Sequence, residues 1–241
     1  MNAPTGVLVG TGIGIALGAG LLFLTRRAYE PTKELAAGGV VRKNFPAWAS
    51  GRSIEDCMAQ EMKEAVLRGK DDMAVRDLAI KIIRSHKLDG RQYYEVASAI
   101  QFWVMTNVTY VPDIVGTEVF QEARVTIEKK AGDCDDQSIL VCALLMSVGI
   151  PARIILMSQS ANFNASTSKF THVFGVAILG AKELKLETII PNALPDYLHP
   201  CTALWRIEIR PGAVGRNIEI NPEYSEALPV PGEGLAGLVD S

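Results

Sequence analysis

Apolar residues recur at Ile54, Met58, Met62 and Val66, one helical turn apart, which is the stripe of an amphipathic helix. Ser53 followed by Asp56 reads as a capping box, with Ser53 as N-cap. A second helix is expected near Asp71, burying Leu78, Ile82 and Ile83, and a third over residues 93–107. The period breaks over residues 108–130, a long loop of the kind that often carries function. Residues 134–148 are apolar nearly all round, so a buried helix is expected there, stopped at Gly149-Ile150-Pro151. After it come four short runs rich in Ile, Val, Leu and Phe: residues 153–157, 171–178, 184–190 and 203–209. These read as strands, with Gly180-Ala181-Lys182-Glu183 as a hairpin turn between the second and third. Helices first and antiparallel strands afterwards predict an α+β domain over residues 51–210.

The flanks differ in pattern. Residues 6–24 carry no charge, and at about 1.5 Å per helical residue they match the hydrocarbon thickness of a bilayer. Residues 1–25 are therefore expected to be a single-pass transmembrane anchor, with a signal peptide or a buried soluble helix as alternatives. No positive charge precedes the apolar run, as a signal peptide would require, whereas Arg26 and Arg27 close it. That basic flank predicts a C-terminal domain on the cytoplasmic side. Gly6, Gly10, Gly14 and Gly18 fall on one helix face, a stripe that suits helix–helix association in a membrane. Residues 26–50 read as a basic linker. Residues 211–241, with four prolines, five glycines, five acids and one arginine, read as an acidic tail.

Composition narrows the classes. The 241 residues carry a net charge of -3, so a nucleic-acid partner is not expected. The cysteines, at 57, 134, 142 and 201, form no C-x-x-C pair and no zinc spacing with histidine. Neither a metal nor another cofactor is expected.

The chemistry concentrates at Gly132-Asp133-Cys134-Asp135-Asp136. Asp133 is a natural N-cap, which puts Cys134 in the first turn of the buried helix. There the free backbone N–H groups and the helix dipole favour a thiolate and can hold an oxyanion. The three carboxylates push the other way and raise the thiol pKa, so a nearby imidazole is needed to offset them. Of the three histidines, His86 reads as a surface residue and His199 lies in a loop before Pro200. His172 lies on an alternating strand. Alone it could be a structural residue, but the next run returns antiparallel and brings Glu187 opposite it, to within two positions of register. A cysteine, a strand histidine and an acid on the adjoining strand make a nucleophile, base and orienter.

Gly132-Asp133-Cys134-Asp135-Asp136, then Gly149-Ile150-Pro151-Ala152-Arg153, then Thr171-His172-Val173, resemble in that order the transglutaminase-like superfamily. The resemblance covers residues 95–195, and Tyr110 with Pro112-Asp113 is similar to the segment upstream of the nucleophile. It implies a papain-like core with Cys134 as nucleophile and His172 as base. Where the family has an aspartate this chain has Glu187, with Asp196 in the following loop as the second candidate. The activity implied is thiol acyl transfer on amide bonds, as a peptidase or amidase before a crosslinking transglutaminase. The substrate expected is protein or cell-wall peptide. Compact members with a GDCDD motif occur in phage, which extends the expected settings to the inside of a virion. The superfamily also contains members that have lost catalysis, so the alternative is a silent structural or assembly protein of a membrane or virion.

Overall fold

The computed structural model describes residues 32–36, 40–46, 52–113, 117–160, 162–164, 170–197, 200–212, 214–215 and 218–220. The expected anchor at residues 6–24, His199 and residues 221–241 lie outside them. Among the described residues no helix is long and apolar enough to cross a membrane.

Three helices open the domain: α1 (Arg52–Lys70), α2 (Met73–Ser85) and α3 (Tyr93–Asn107). Helix α1 starts at Arg52, so Ser53 falls inside its first turn and not at the cap. Met62 and Val66 from the predicted stripe are buried, and Met58 packs at the edge of the core. Helix α2 is capped by Asp72, whose carboxylate accepts from Ala74 N at 2.7 Å. It buries Val75, Ala79 and Ile82, while Leu78 and Ile83 are only half-buried.

Helix α5 (Cys134–Ser147) is the axis of the fold. Residues 135–145 are buried on every face, as a helix without a polar side must be. Helices α1, α2, α3 and α4 (Ala123–Lys129) pack around it, and the main sheet covers the remaining side. Its C-terminus closes as the glycine stop predicts. Gly149 takes φ +85, and the amides of Gly149 and Ile150 bond back to Met146 O and Leu145 O.

The main sheet runs β10-β9-β6-β7-β8, antiparallel throughout: β6 (Ala152–Ser158), β7 (His172–Leu179), β8 (Lys182–Leu186), β9 (Ala203–Glu208) and β10 (Ile218–Ile220). Gly175 lets β7 lie close on α5, because a Cβ there would sit 3.0 Å from Val141 Cγ1 and 3.2 Å from Cys142 Sγ. The opposite face of the sheet has its own apolar cluster, built from Ile155, Met157, Phe174, Val176 and Cys201.

Several expectations need correction. Residues 26–50 are not all linker, because β1 (Thr32–Ala36) and β2 (Val40–Pro46) form a hairpin that pairs with β4 (Thr117–Phe120). Residues 108–130 hold structure too: β3 (Thr109–Tyr110) and β4, then α4, with β3 pairing in parallel with β5 (Ala131–Gly132). These elements are two to seven residues long, too short for a period to register. β8 ends at Leu186, four residues before the predicted run does, because the chain turns at residues 189–192. Part of the predicted tail, Ile218–Ile220, is paired as β10.

Candidate active site

Cys134 is placed by three local devices. The β3–β5 ladder fixes the backbone just before it, with Val111 N donating to Gly132 O at 3.1 Å. Gly132 must lack a side chain, because a Cβ would lie 2.6 Å from Asp136 Cβ. Asp133 then caps α5, its Oδ1 accepting from Asp135 N at 3.0 Å and Asp136 N at 3.2 Å. Asp136 accepts from Gln121, through the backbone N at 2.7 Å and through Nε2.

The thiol sits in an environment that resists ionisation. Burial pushes Cys134 well above the ordinary thiol range, and the charges of Asp135 and Asp133 push the same way. Asp135 Oδ1 is 3.6 Å from Sγ. One contact favours the thiolate: the Val173 backbone N–H hydrogen-bonds to the sulfur. That bond brings the start of β7 to the N-terminus of α5 and places His172 one residue from the group that touches the thiol. Tyr110 borders the same charges, and burial together with Cys134 and the neighbouring aspartates raises its phenol.

His172 and Glu187 meet directly. His172 Nε2 donates to Glu187 Oε2 at 2.6 Å, with both residues buried. The β7–β8 ladder ends at Gly175 opposite Leu186, so continued pairing would set Glu187 against Phe174, two positions from His172. Side chains alternate across a strand, so a two-residue offset keeps both groups on the same face. The glutamate is long enough to close the diagonal. Its other oxygen, Oε1, accepts from Ile189 N at 2.9 Å. With Nε2 as donor, the neutral imidazole carries its lone pair on Nδ1, the arrangement a general base requires.

Asp196 is placed elsewhere. Its carboxylate pairs with Lys185 Nζ at 2.8 Å, and that bond holds it below the usual carboxylate range. His86 bonds to Ile82 O through Nδ1 at 3.0 Å at the end of α2. Cys142 is fully buried and pushed up to about 12 by that burial. Asp133, Cys134 and Asp135 offer donor atoms within 4.8 Å of one another. Asp133 Oδ1 is already engaged by two backbone amides, so the trio reads as a helix cap and its field, not as a ligand set.

Two further residues were not singled out from sequence. Gln121 receives the Asp136 carboxylate, and Gln101, 1% exposed on α3, donates through Nε2 to Glu187 O at 2.7 Å and to Ala193 O at 3.1 Å. A polar residue among Val96, Ala97, Ile100 and Val104 was the available signal for Gln101. A groove of about 320 Å³ opens between α3 and residues 192–195, but its walls include none of Cys134, His172 and Glu187.

No curated protein matches the chain. Among solved structures it is similar to a candidate protease from Parabacteroides distasonis ATCC 8503, 12% identical with a TM-score of 0.45. That alignment covers 68% of this chain and 31% of the other, so the chain spans about a third of that protein. A candidate cysteine protease from Cytophaga hutchinsonii is 17% identical with a TM-score of 0.39, covering 80% of this chain and 71% of its own. LapG from Legionella pneumophila is 15% identical with a TM-score of 0.38, covering 61% and 83%. The sequence model of the transglutaminase-like superfamily matches residues 78–182, a span that holds both Cys134 and His172. The chain carries a domain of the transglutaminase-like superfamily over residues 78–182.

Proposed function

We propose that the chain is a thiol acyl-transfer enzyme acting on amide bonds, with Cys134 as nucleophile, His172 as general base and then acid, and Glu187 as orienter. The observation that carries this reading is the buried 2.6 Å bond from His172 Nε2 to Glu187 Oε2, on the strand whose Val173 N–H faces the Cys134 sulfur. Nδ1 takes the thiol proton as sulfur attacks the amide carbonyl. The S–C bond forms, the C–N bond breaks, and the imidazolium gives its proton to the departing amine. The amides at the start of α5 are candidate donors to the oxyanion. Water resolving the acyl-enzyme gives a peptidase or amidase, and an amine resolving it gives a crosslinker. Hydrolysis of protein or cell-wall peptide is the reading preferred here. Residues 6–24 tether the domain to a membrane, with the catalytic part on the cytoplasmic side or inside a virion.

Because burial, Asp135 and Asp133 hold the thiol protonated, proton removal by His172 at the moment of attack is what the reading requires. The test is trapping of the acyl-enzyme. The full chain is incubated with a peptide mixture, quenched in acid and analysed by intact mass and peptide mapping, with Cys134→Ala as control. An adduct on Cys134 that chases off with water or a primary amine supports acyl transfer. No adduct in the wild type under any condition leaves the silent structural reading.

A further inference from the structure

We infer that Gln101 is a positioning residue for the acid of the proposed Cys134–His172–Glu187 unit, and that it acts through the backbone of Glu187. The inference rests on that reading of the site.

Glu187 lies one residue beyond the last paired residue of β8, so the ladder does not place its backbone. The chain turns at once, with Ala193 N bonding to Ile190 O and Asn192 at φ +63. The Glu187 carboxylate meets the imidazole at 2.6 Å across a two-residue offset, so where its Cα lies decides whether the bond forms. Gln101 bears on that position directly. One N–H of Nε2 bonds to Glu187 O and the other bonds to Ala193 O, so a single amide clamps both ends of the turn from the middle of α3. The residue is buried, and its Oε1 has no hydrogen-bond partner. A core position that keeps an amide while leaving its oxygen orphaned is held for its donors, since an apolar side chain of like volume would avoid that cost. Helix α3 packs directly on α5, so the same helix that contacts the nucleophile's helix also fixes the acid.

The test compares Cys134 alkylation rates in wild type, Gln101→Met, Glu187→Gln and the double variant, each well below its own melting midpoint. Gln101→Met keeps the volume and removes both donors. Its rate is expected to fall about tenfold to a hundredfold, the cost of a misplaced catalytic group or a lost supporting bond. The double variant is expected to label within about twofold of Glu187→Gln alone, because Gln101 has nothing left to position. A general packing defect would instead add its own loss in the double variant. Gln101→Asn, which keeps the amide but is one methylene shorter, is read in the same way should Gln101→Met fail to fold. Full wild-type rate in the Gln101 variants, or additive losses in the double variant, overturns the positioning role. A wild-type thiol no faster than a free cysteine, and indifferent to Glu187→Gln, overturns the catalytic reading itself, so the two failures are told apart.

Discussion

Asp136→Asn makes a sharp test of how the first turn of α5 is built. Asp136 is 2% exposed and receives two donors from Gln121, yet burial and the neighbouring charge of Asp133 carry its carboxyl from 3.8 to about 7. The folded chain therefore holds this proton to higher pH than the unfolded chain does. Below about pH 4 both states are protonated, and the group is neutral to stability. Between pH 4 and 7 the unfolded chain releases its proton first, so stability falls as pH rises, and above pH 7 the loss is complete. The shift from 3.8 to about 7 is worth about 4 kcal/mol at about 1.4 kcal/mol per unit, a large share of a typical folding free energy. Asparagine carries no charge and removes this dependence. Its new Nδ2 faces Gln121, whose Oε1 has no partner in the wild type and can accept once the amide turns over. That turn gives up the bond from Gln121 Nε2 to Ala131 O at 3.2 Å, at a cost of about 1 kcal/mol. Urea unfolding of both proteins from pH 4 to 8 gives the difference directly. The variant should gain about 4 kcal/mol on the wild type across that range, which reads Asp136 together with its coupling to Asp133. Parallel stability curves would refute the reasoning.

Other outcomes follow from the same geometry. Glu187→Gln should keep the fold and slow Cys134 alkylation by about a hundredfold or more, since the amide loses the charge that stabilises the imidazolium. Glu187→Asp should be milder, and Asp196→Asn, whose carboxylate serves Lys185, should leave the rate unchanged; a collapse there would move the acid to Asp196. Gly175→Ala should overpack the β7–α5 contact, where the new methyl would meet Cys142 Sγ at 3.2 Å. A destabilisation of about 1–3 kcal/mol, read as a melting midpoint lower by about 2–12 °C, is expected, and an unchanged midpoint would show that the sheet yields freely. The full chain should sediment with membranes through a high-salt wash, whereas a fragment lacking residues 1–25 should not; extraction by salt would assign the attachment to the basic residues that follow.

The helical half and the site were unevenly legible in the sequence. Helix α5 was readable because a helix buried on all sides has no polar face, and its two stops, Asp133 and Gly149, are strong local signals. Helix α3 matched its expected span too, although it buries one face only, through Val96, Ala97, Ile100 and Val104. The pairing of His172 with Glu187 was legible only to within two positions, because alternation fixes the face of a strand but not its register. The β1–β2 hairpin escaped notice because its strands are short, and β3, β4 and β5 because each is short and pairs across a long stretch of chain. Gln101 showed only as a polar residue on an apolar helix face, with nothing to name its partner, and Gln121 had no signal in the pattern. Their partners, Glu187 and Asp136, are 86 and 15 residues away, and nothing local couples them.

Activation of the Cys134 thiol by His172 is the step on which the proposed function turns. Its most direct measurement is the alkylation rate of each cysteine in the full chain near neutral pH, with the labelled sites mapped by mass. Cys57 is exposed and serves as the accessible reference cysteine in the same molecule, while Cys142, buried and pushed up to about 12, should stay unlabelled. Cys134 should react ahead of Cys57 and Cys201, and His172→Ala should abolish the lead without unfolding the protein. Labelling of Cys57 or Cys201 before Cys134, or a Cys134 rate unchanged by loss of His172, would contradict it.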